Sequence, residues 1–412
     1  MSTISAGDTA WLLTASAMVM IMTPGLAFFY GGMVRSKNLL STIMMSFMTL
    51  GLVGVLWVLY AYSLGFGNDL GGFIGGLNFW GLNNVGMLPS TVQTYAPTTP
   101  HLAYMIFQAM FAIITVALIT GAVVERVKFS SIVVFCVAWL TLVYGPVSHW
   151  VWGQGGWLGK LGALDFAGGS VVHINAGVSA LALAIVLGPR KGYQPGISVG
   201  SLGNVPYIVI GAALLWFGWF GFNAGSALTA GGLAASAFVA TNTAAAMAAL
   251  TWMFLSWFYH RPTISGIASG AVAGLVAITP AAGFVQPIMG IPIGFGVAII
   301  SFYVMRLRSK TKTDDSLDVF ACHGMGGTWG CLATGLFAST ALTPHGGAIN
   351  GYWHQVLVQL ASIGAVWAYS FGMTFIIGKV IDKTMGLRVS ATEESLGLDI
   401  SQHGESAYGE RV

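Results

Sequence analysis

The sequence predicts an all-α polytopic membrane protein: eleven transmembrane helices, built as two inverted five-helix repeats plus a C-terminal helix. Three observations predict it. The chain is 56% hydrophobic and only 7% charged, whereas a soluble domain carries about 25% charged residues. Apolar runs of roughly the 20 residues that a spanning helix needs recur along all 412 positions. The basic residues collect in every second loop between those runs.

The runs lie at about 9–34, 42–66, 101–124, 129–151, 166–188, 204–223, 228–258, 263–281, 284–305, 318–341 and 351–380. The first grows out of MSTISAGDTAWLL, which has neither a basic n-region nor a cleavage pattern, so a permanent span is expected rather than a removable signal. The third and fourth are parted by Glu125, Arg126 and Lys128, a short charged turn expected at the cytoplasmic surface. The fifth should start on Asp165 and the tenth on Asp318, each carboxylate capping exposed N–H groups. Residues 192–260 contain no Asp, Glu, Lys or Arg and are divided at GSALTAGG. The later runs are divided near TPAAGF and LTPHGGAINGYW, where proline and glycine interrupt the helical pattern. The 57 glycines suit spanning helices that approach one another closely.

With this count, the loops after runs 1, 3, 5, 7 and 9, the end of the last run and the tail as far as Arg411 hold 15 of the 16 Lys and Arg residues. Only Lys160 falls on the other side. Positive charge marks the cytoplasmic side, so the N-terminus is expected outside and the C-terminal tail in the cytoplasm, the protein lying in a plasma or inner cell membrane. The domain reading is a membrane domain over 1–385, comprising one repeat at about 8–188, a second at about 204–341 and an extra helix at about 351–385, followed by a tail at 386–412. A net charge of +3 gives no case for nucleic acid. The three cysteines, Cys136, Cys322 and Cys331, are odd in number and lie in apolar runs, which is no disulfide framework. Cys322 beside His323 lacks the further ligands of a metal site, and no cofactor is expected.

The candidate functional residues are His173 and His323. An ionisable side chain inside a spanning segment is costly and faces a partner or a pathway. These two fall in runs 5 and 10, equivalent positions if runs 1–5 and 6–10 are copies; five is odd, so such copies face opposite ways, as in many transporters. His101, His149, His260, His345, His354 and His403 fall at run ends, in loops or in the tail, and read as interfacial or solvated. No carboxylate ring of the kind a cation filter uses is present in the runs. A route of aromatic and aliphatic side chains with two imidazoles suits a small neutral molecule, for which neutral imidazole offers one donor and one acceptor. Aromatic clusters, WVWGQGGW and WFGFNAGS, lie near the outer ends; they suit an interfacial belt or recognition of a small cation by ring faces.

The segments TPGLAFFYGG, YSLGFG, LDFAGGSVVHINAG, WFGFNAGSA, AITPAAGF, DVFACHGMGG and GLRVS…EESLGLDISQHGESAY together resemble the ammonium transporter family, the Amt/Mep/Rh group, over about residues 8–408 and most closely its prokaryotic Amt members. The resemblance implies a homotrimer with one pore per subunit and no enzymatic activity. It implies that His173 and His323 are the twin histidines of the pore, that Phe111 and Phe222 gate its outer mouth, and that Trp152, Ser226, Phe111 and the neighbouring Phe107 recruit ammonium. Asp165 then supports that site without being a firm ligand. WGQGG stands where the family often has WGGG, which puts Gln154 at the mouth. A PII-type signal protein is the implied partner at the cytoplasmic face.

The function expected is ammonium transport: capture of the cation outside, deprotonation at the gate, passage of ammonia, and a proton relayed separately. Two alternatives stand beside it. One is an ammonium sensor on the same fold, which about 30 residues after the last run leave little room for, since a signalling domain is larger. The other is a Rhesus-type neutral ammonia channel, which the full recruitment set argues against.

Overall fold

The computed structural model describes residues 4–197, 200 and 202–409. Arg411, counted above with the basic tail, lies outside the described residues. The chain is a bundle of helices with one two-stranded hairpin. In chain order they are α1 (Ala6–Met33), α2 (Ser36–Phe66), α3 (His101–Thr120), α4 (Phe129–Leu161), α5 (Gly169–Leu187), α6 (Val205–Gly225), α7 (Gly232–Tyr259), α8 (Ile264–Ile278) and α9 (Pro287–Arg308). Then come α10 (Phe320–Gly324 continuing as Met325–Phe337), α11 (His354–Met385) and a short tail helix, α12 (Ala391–Leu396). The hairpin, β1 (Asp69–Leu70) and β2 (Ile74–Gly75), sits in the long loop between α2 and α3 and pairs Asp69 with Gly75.

Among the described residues, nine of these helices are long and apolar enough to cross a membrane. The two expected spans outside that set are α8, which has 15 residues, and α10, whose apolar content is diluted by His323 and five glycines. Both are flanked by irregular backbone buried in the bundle, as at residues 279–285; non-helical chain at membrane depth is tolerated where protein covers it. The three divisions made at GSALTAGG, TPAAGF and LTPHGGAINGYW all coincide with breaks between helices.

Helix α1 packs along α6 more extensively than any other pair, and α7 packs on α8 and α9. Helix α11 is held to α5 by a polar stripe. Ser370 Oγ donates to Asn175 Oδ1 at 2.7 Å, Thr374 Oγ1 to Ser179 Oγ at 2.8 Å, and Gln359 Nε2 to the Leu164 carbonyl at 2.8 Å. Such interhelical bonds contribute about 1 kcal/mol each in a membrane protein.

Helices α5 and α10 cross at the centre of the bundle, and their starts are alike. Each opens with a π-helical turn, Gly169–Ile174 and Phe320–Gly324, a wide turn often found at functional positions. Each turn is capped from upstream by a carboxylate. Asp165 accepts from the N–H groups of Gly168, Gly169, Ser170 and Val171 at 2.6–3.1 Å. Asp315 accepts from Val319 and Phe320 at 3.1 and 2.7 Å. In both, the histidine comes eight residues later (173 − 165 and 323 − 315). The start of α5 packs on the body of α10 and the start of α10 on the body of α5, as copies of opposite direction would.

Three expectations need correction. The cap of α10 is Asp315, not Asp318: Asp318 takes a left-handed backbone (φ 55°) and accepts instead from Arg308 Nε at 2.8 Å. Glu125 and Arg126 are not a surface turn but almost fully buried, at 1% and 0% exposure. Glu125 accepts from Arg35, Arg190 and Asn38, and Arg126 donates to the Asp314 carbonyl and Ser316. A buried charge survives only when so paired, and the α1–α2 junction and the loops behind α5 and α9 supply the partners. Finally, His101 and His149 are buried rather than solvated: Tyr62 OH meets His101 Nε2 at 2.6 Å, and His149 contacts Gly65 and Asp69.

The tail is docked, not loose. Asp399 accepts from the N–H groups of Leu40 and Ser41 at the start of α2, and Asn38 Oδ1 accepts from Leu398 N–H. Glu394 pairs with Arg388 at 2.8 Å and accepts from Lys191 N–H.

Candidate functional site

The candidate site is a row of aromatic and imidazole side chains along the middle of the bundle, between the end carrying Trp152 and the end carrying the clustered arginines. At the first end, Trp152 donates its indole N–H to the Asp165 carbonyl at 2.9 Å. Its ring meets the edge of Phe111 with centroids 5.8 Å apart and planes at 89°. Phe111 lies against Phe222 at 4.2 Å and against Phe107 at 4.9 Å. Phe107, Phe111 and Phe222 are each exposed by 1% or less, so the Phe111–Phe222 pair fills the space behind Trp152. Ser226, one helical turn beyond Phe222, donates its hydroxyl to the Phe222 carbonyl at 2.8 Å, which leaves its oxygen lone pairs free to accept. The Asp165 carboxylate is committed to four backbone N–H groups; only its carbonyl reaches the aromatic cluster.

Behind the phenylalanines lies a small apolar cavity lined by Phe222, Trp219, Val172, Leu215 and both histidines. Its ≈ 10 Å³ is on the order of the space one water molecule needs. His173 Nδ1 and His323 Nδ1 face each other at 3.2 Å, with ring planes 27° apart. One of those nitrogens must carry the shared proton and the other its lone pair. When both rings are neutral they are therefore of opposite tautomer, one offering a donor and the other an acceptor at Nε2. His173 Nε2 is buried with no hydrogen-bond partner in the protein, a polar atom facing an apolar cavity.

His323 also borders a second cavity of ≈ 600 Å³ at the arginine end, together with Tyr30, Arg190, Arg308 and Asp318. The twin rings therefore separate a water-sized lumen from a wide vestibule. Their approach depends on glycine. A Cβ on Gly177 would lie 2.0 Å from the Gly324 nitrogen, and one on Gly327 would lie 3.0 Å from His173 Cβ.

All eight of the residues singled out from sequence lie along this row of side chains or brace it. Sequence reasoning missed two. Trp219 stacks on His173 at 5.4 Å and donates to Thr279 Oγ1 at 2.8 Å; its signal was the spacing to Phe222, three residues on along one helix face. Asp315 was visible only through its distance from His323. Among the described residues no group of three or more His, Cys, Asp or Glu side chains could hold a metal ion.

The profile of the Ammonium Transporter Family matches residues 10–408. An ammonium transporter of Bacillus subtilis is 50% identical over 408 residues, covering 98% of each chain. Ammonium transporter Amt1 of Archaeoglobus fulgidus is 48% identical, covering 98% of this chain and 100% of its own. The crystal structure of Candida albicans Mep2 superposes with a TM-score of 0.90 at 38% identity, covering 98% of this chain and 91% of the other.

Proposed function

Since this chain belongs to the ammonium transporter family, we propose that it takes up ammonium by stripping the cation of its proton and passing ammonia through the lumen between Phe222 and His323. The observation that carries the reading is the water-sized apolar cavity with one unsatisfied imidazole nitrogen. A bare cation cannot enter such a space, because burying an unpaired charge is prohibitive, whereas ammonia fits and can hydrogen-bond to a neutral ring.

Ammonium is captured against Trp152 and Phe111, whose faces attract a desolvated cation by ~2 kcal/mol, with Ser226 accepting one N–H. Phe107 completes the aromatic wall, and Asp165 holds Trp152 in place through its carbonyl. Phe111 and Phe222 move aside transiently. Ammonia passes along His173 and His323 into the vestibule, and the surrendered proton crosses through the shared imidazole hydrogen bond, making net transport electrogenic. The arginine end is cytoplasmic by the positive-inside rule, with the N-terminus outside, in the plasma or inner membrane. The membrane domain spans 1–385 as eleven helices, two repeats at about 8–188 and 204–341 with an extra helix at about 351–385, and 386–412 form a cytoplasmic tail. The assembly is a homotrimer, and a PII-type protein docks on the vestibule side.

The test is current recording from purified protein in liposomes after an ammonium jump. Charge movement that follows ammonium and vanishes in a His173→Asp, His323→Ala double variant supports the relay; unchanged charge movement there removes it. Trp152→Leu should raise the ammonium concentration for half-maximal transport, and native mass spectrometry should give three subunits.

A further inference from the structure

The geometry points to His149 as a doubly protonated positioning residue that latches the outer ammonium site and releases it when the imidazolium loses a proton. The latch rests on the reading of Trp152 as part of that site. His149 is 0% exposed, and both of its ring nitrogens face groups that only accept. Nδ1 lies 2.9 Å from the Gly65 carbonyl oxygen, and Nε2 lies 3.0 Å from Asp69 Oδ1. A neutral imidazole has one N–H and would aim a lone pair at one of these oxygens; only imidazolium donates to both.

Asp69 cannot supply the missing proton, because donors already surround it. Its Oδ1 accepts from Gly72 N–H at 2.6 Å, and Lys160 Nζ lies 3.5 Å from its Oδ2. The hydrogen bond from His149 is the first cause holding the Asp69 carboxyl below the ordinary carboxylate range; burial opposes it, and the Gly72 N–H and the Lys160 charge add to the lowering. Asp69 on β1 and Lys160 at the end of α4 are the charged groups facing the ring, and Tyr95 is the titratable group on the adjoining loop.

The consequence for the site is covalent proximity. Trp152 follows His149 by one helical turn, and the chain then folds back over the imidazole. A Cβ on Gly153 would lie 2.4 Å from His149 Nδ1, and one on Gly155 would lie 2.6 Å from Asp69 Cγ. Gly153 N–H donates to the His149 carbonyl at 3.1 Å, Gln154 N–H to Tyr95 OH at 2.8 Å, and Trp157 N–H to the Gly72 carbonyl at 3.1 Å. The imidazolium thus ties the end of α2, the β1–β2 hairpin and the 153–156 loop into one block beneath Trp152. Removing its proton leaves two oxygens facing a ring with one N–H, and the block loosens where the cation is captured.

The test follows methylammonium uptake into liposomes, with outer pH varied alone and concentrations corrected to the charged species. In the wild type, KM should rise as outer pH is raised while the maximal rate holds. His149→Gln should show the raised KM, about tenfold, the scale of one charge-assisted hydrogen bond, at every pH. A pH profile of KM identical in wild type and His149→Gln overturns the latch. Nitrogen NMR of the wild-type protein is an independent readout should that variant not fold. The histidine resonances that shift in Asp69→Asn should show two protonated nitrogens at the pH where KM is lowest, and a ring with one unprotonated nitrogen there overturns the proposal. Trp152→Leu separates the two readings: if it leaves KM unchanged at all pH values, the recruitment site itself is misplaced, whatever the state of His149.

Discussion

The narrowest tolerance in this molecule is at Gly177, where α5 crosses α10. The atom that a Cβ would strike is backbone nitrogen, at 2.0 Å, so no side chain can rotate to make room and the helices must separate. Gly177→Ala should therefore destabilise the protein by about 1–3 kcal/mol, as overpacking of a close contact does, and should also disturb the 3.2 Å approach of His173 and His323. Thermal unfolding in detergent and ammonium uptake should fall together; a variant with normal stability and uptake would show that the crossing has slack. Residues of this kind were half legible. His173 and His323 announce themselves by the cost of an ionisable group in an apolar run, and Phe222 and Trp152 by motif. The burial of His149 and of Glu125 was not readable, because a polar residue at a run's end looks the same in sequence whether water or a carboxylate meets it. Asp69 reaches His149 from the loop between α2 and α3, and Arg35, Asn38 and Arg190 reach Glu125 from the α1–α2 junction and the loop after α5, approaches that only the folded chain creates.

At the level of elements, the starts of α5 and α10 are the positioning devices, and they are not equally loaded. Asp165 satisfies four backbone N–H groups, Asp315 two, and Asp318 none. Replacing a carboxylate by a carboxamide turns one acceptor oxygen into an NH₂ that faces donors, and each buried donor left without a partner costs about 1–3 kcal/mol. Asp165→Asn should be the most damaging of the three to both stability and transport, Asp315→Asn intermediate, and Asp318→Asn mild, since it only weakens the pairing with Arg308. Melting temperatures of the three variants order them, and parity between Asp318→Asn and Asp315→Asn would refute the assignment of the cap. The helices themselves were legible because apolar length and Gly/Pro breaks are local properties. The cap was misassigned because capping from sequence assumes an ordinary α-helical first turn. Here that turn is π-helical, and the capping carboxylate sits four and five residues ahead of the N–H groups it receives.

At the scale of the whole molecule, the arginine end is tied together by a buried ionic cluster that no single helix owns. Arg190 joins Glu125 at 2.8 Å and Asp314 at 2.8 Å, Arg35 joins Glu125 at 3.0 Å, and the tail adds Arg388 to Glu394. Four loops and the tail therefore converge beneath the vestibule. Burial pushes both central carboxyls up, but the hydrogen bond from Arg35 and the charge of Arg190 hold Glu125 below its ordinary 4.5. The Arg190 hydrogen bond and the Arg126 charge likewise hold Asp314 below 3.8. Folded carboxyls with lowered values bind fewer protons than unfolded ones. The stabilisation is thus complete above pH 4.5 and is lost as pH falls through the lower folded values. Glu125→Gln strands Arg35, leaves Arg190 with Asp314 alone, and should cost about 3–5 kcal/mol at neutral pH, as breaking a buried pair does. The same variant should lose less on acidification than the wild type, because one of the two titrating groups is gone. Melting curves of both proteins from neutral pH to below 4.5 decide this: convergence on the acid side assigns the acid sensitivity to the cluster, and parallel decline places it elsewhere in the molecule.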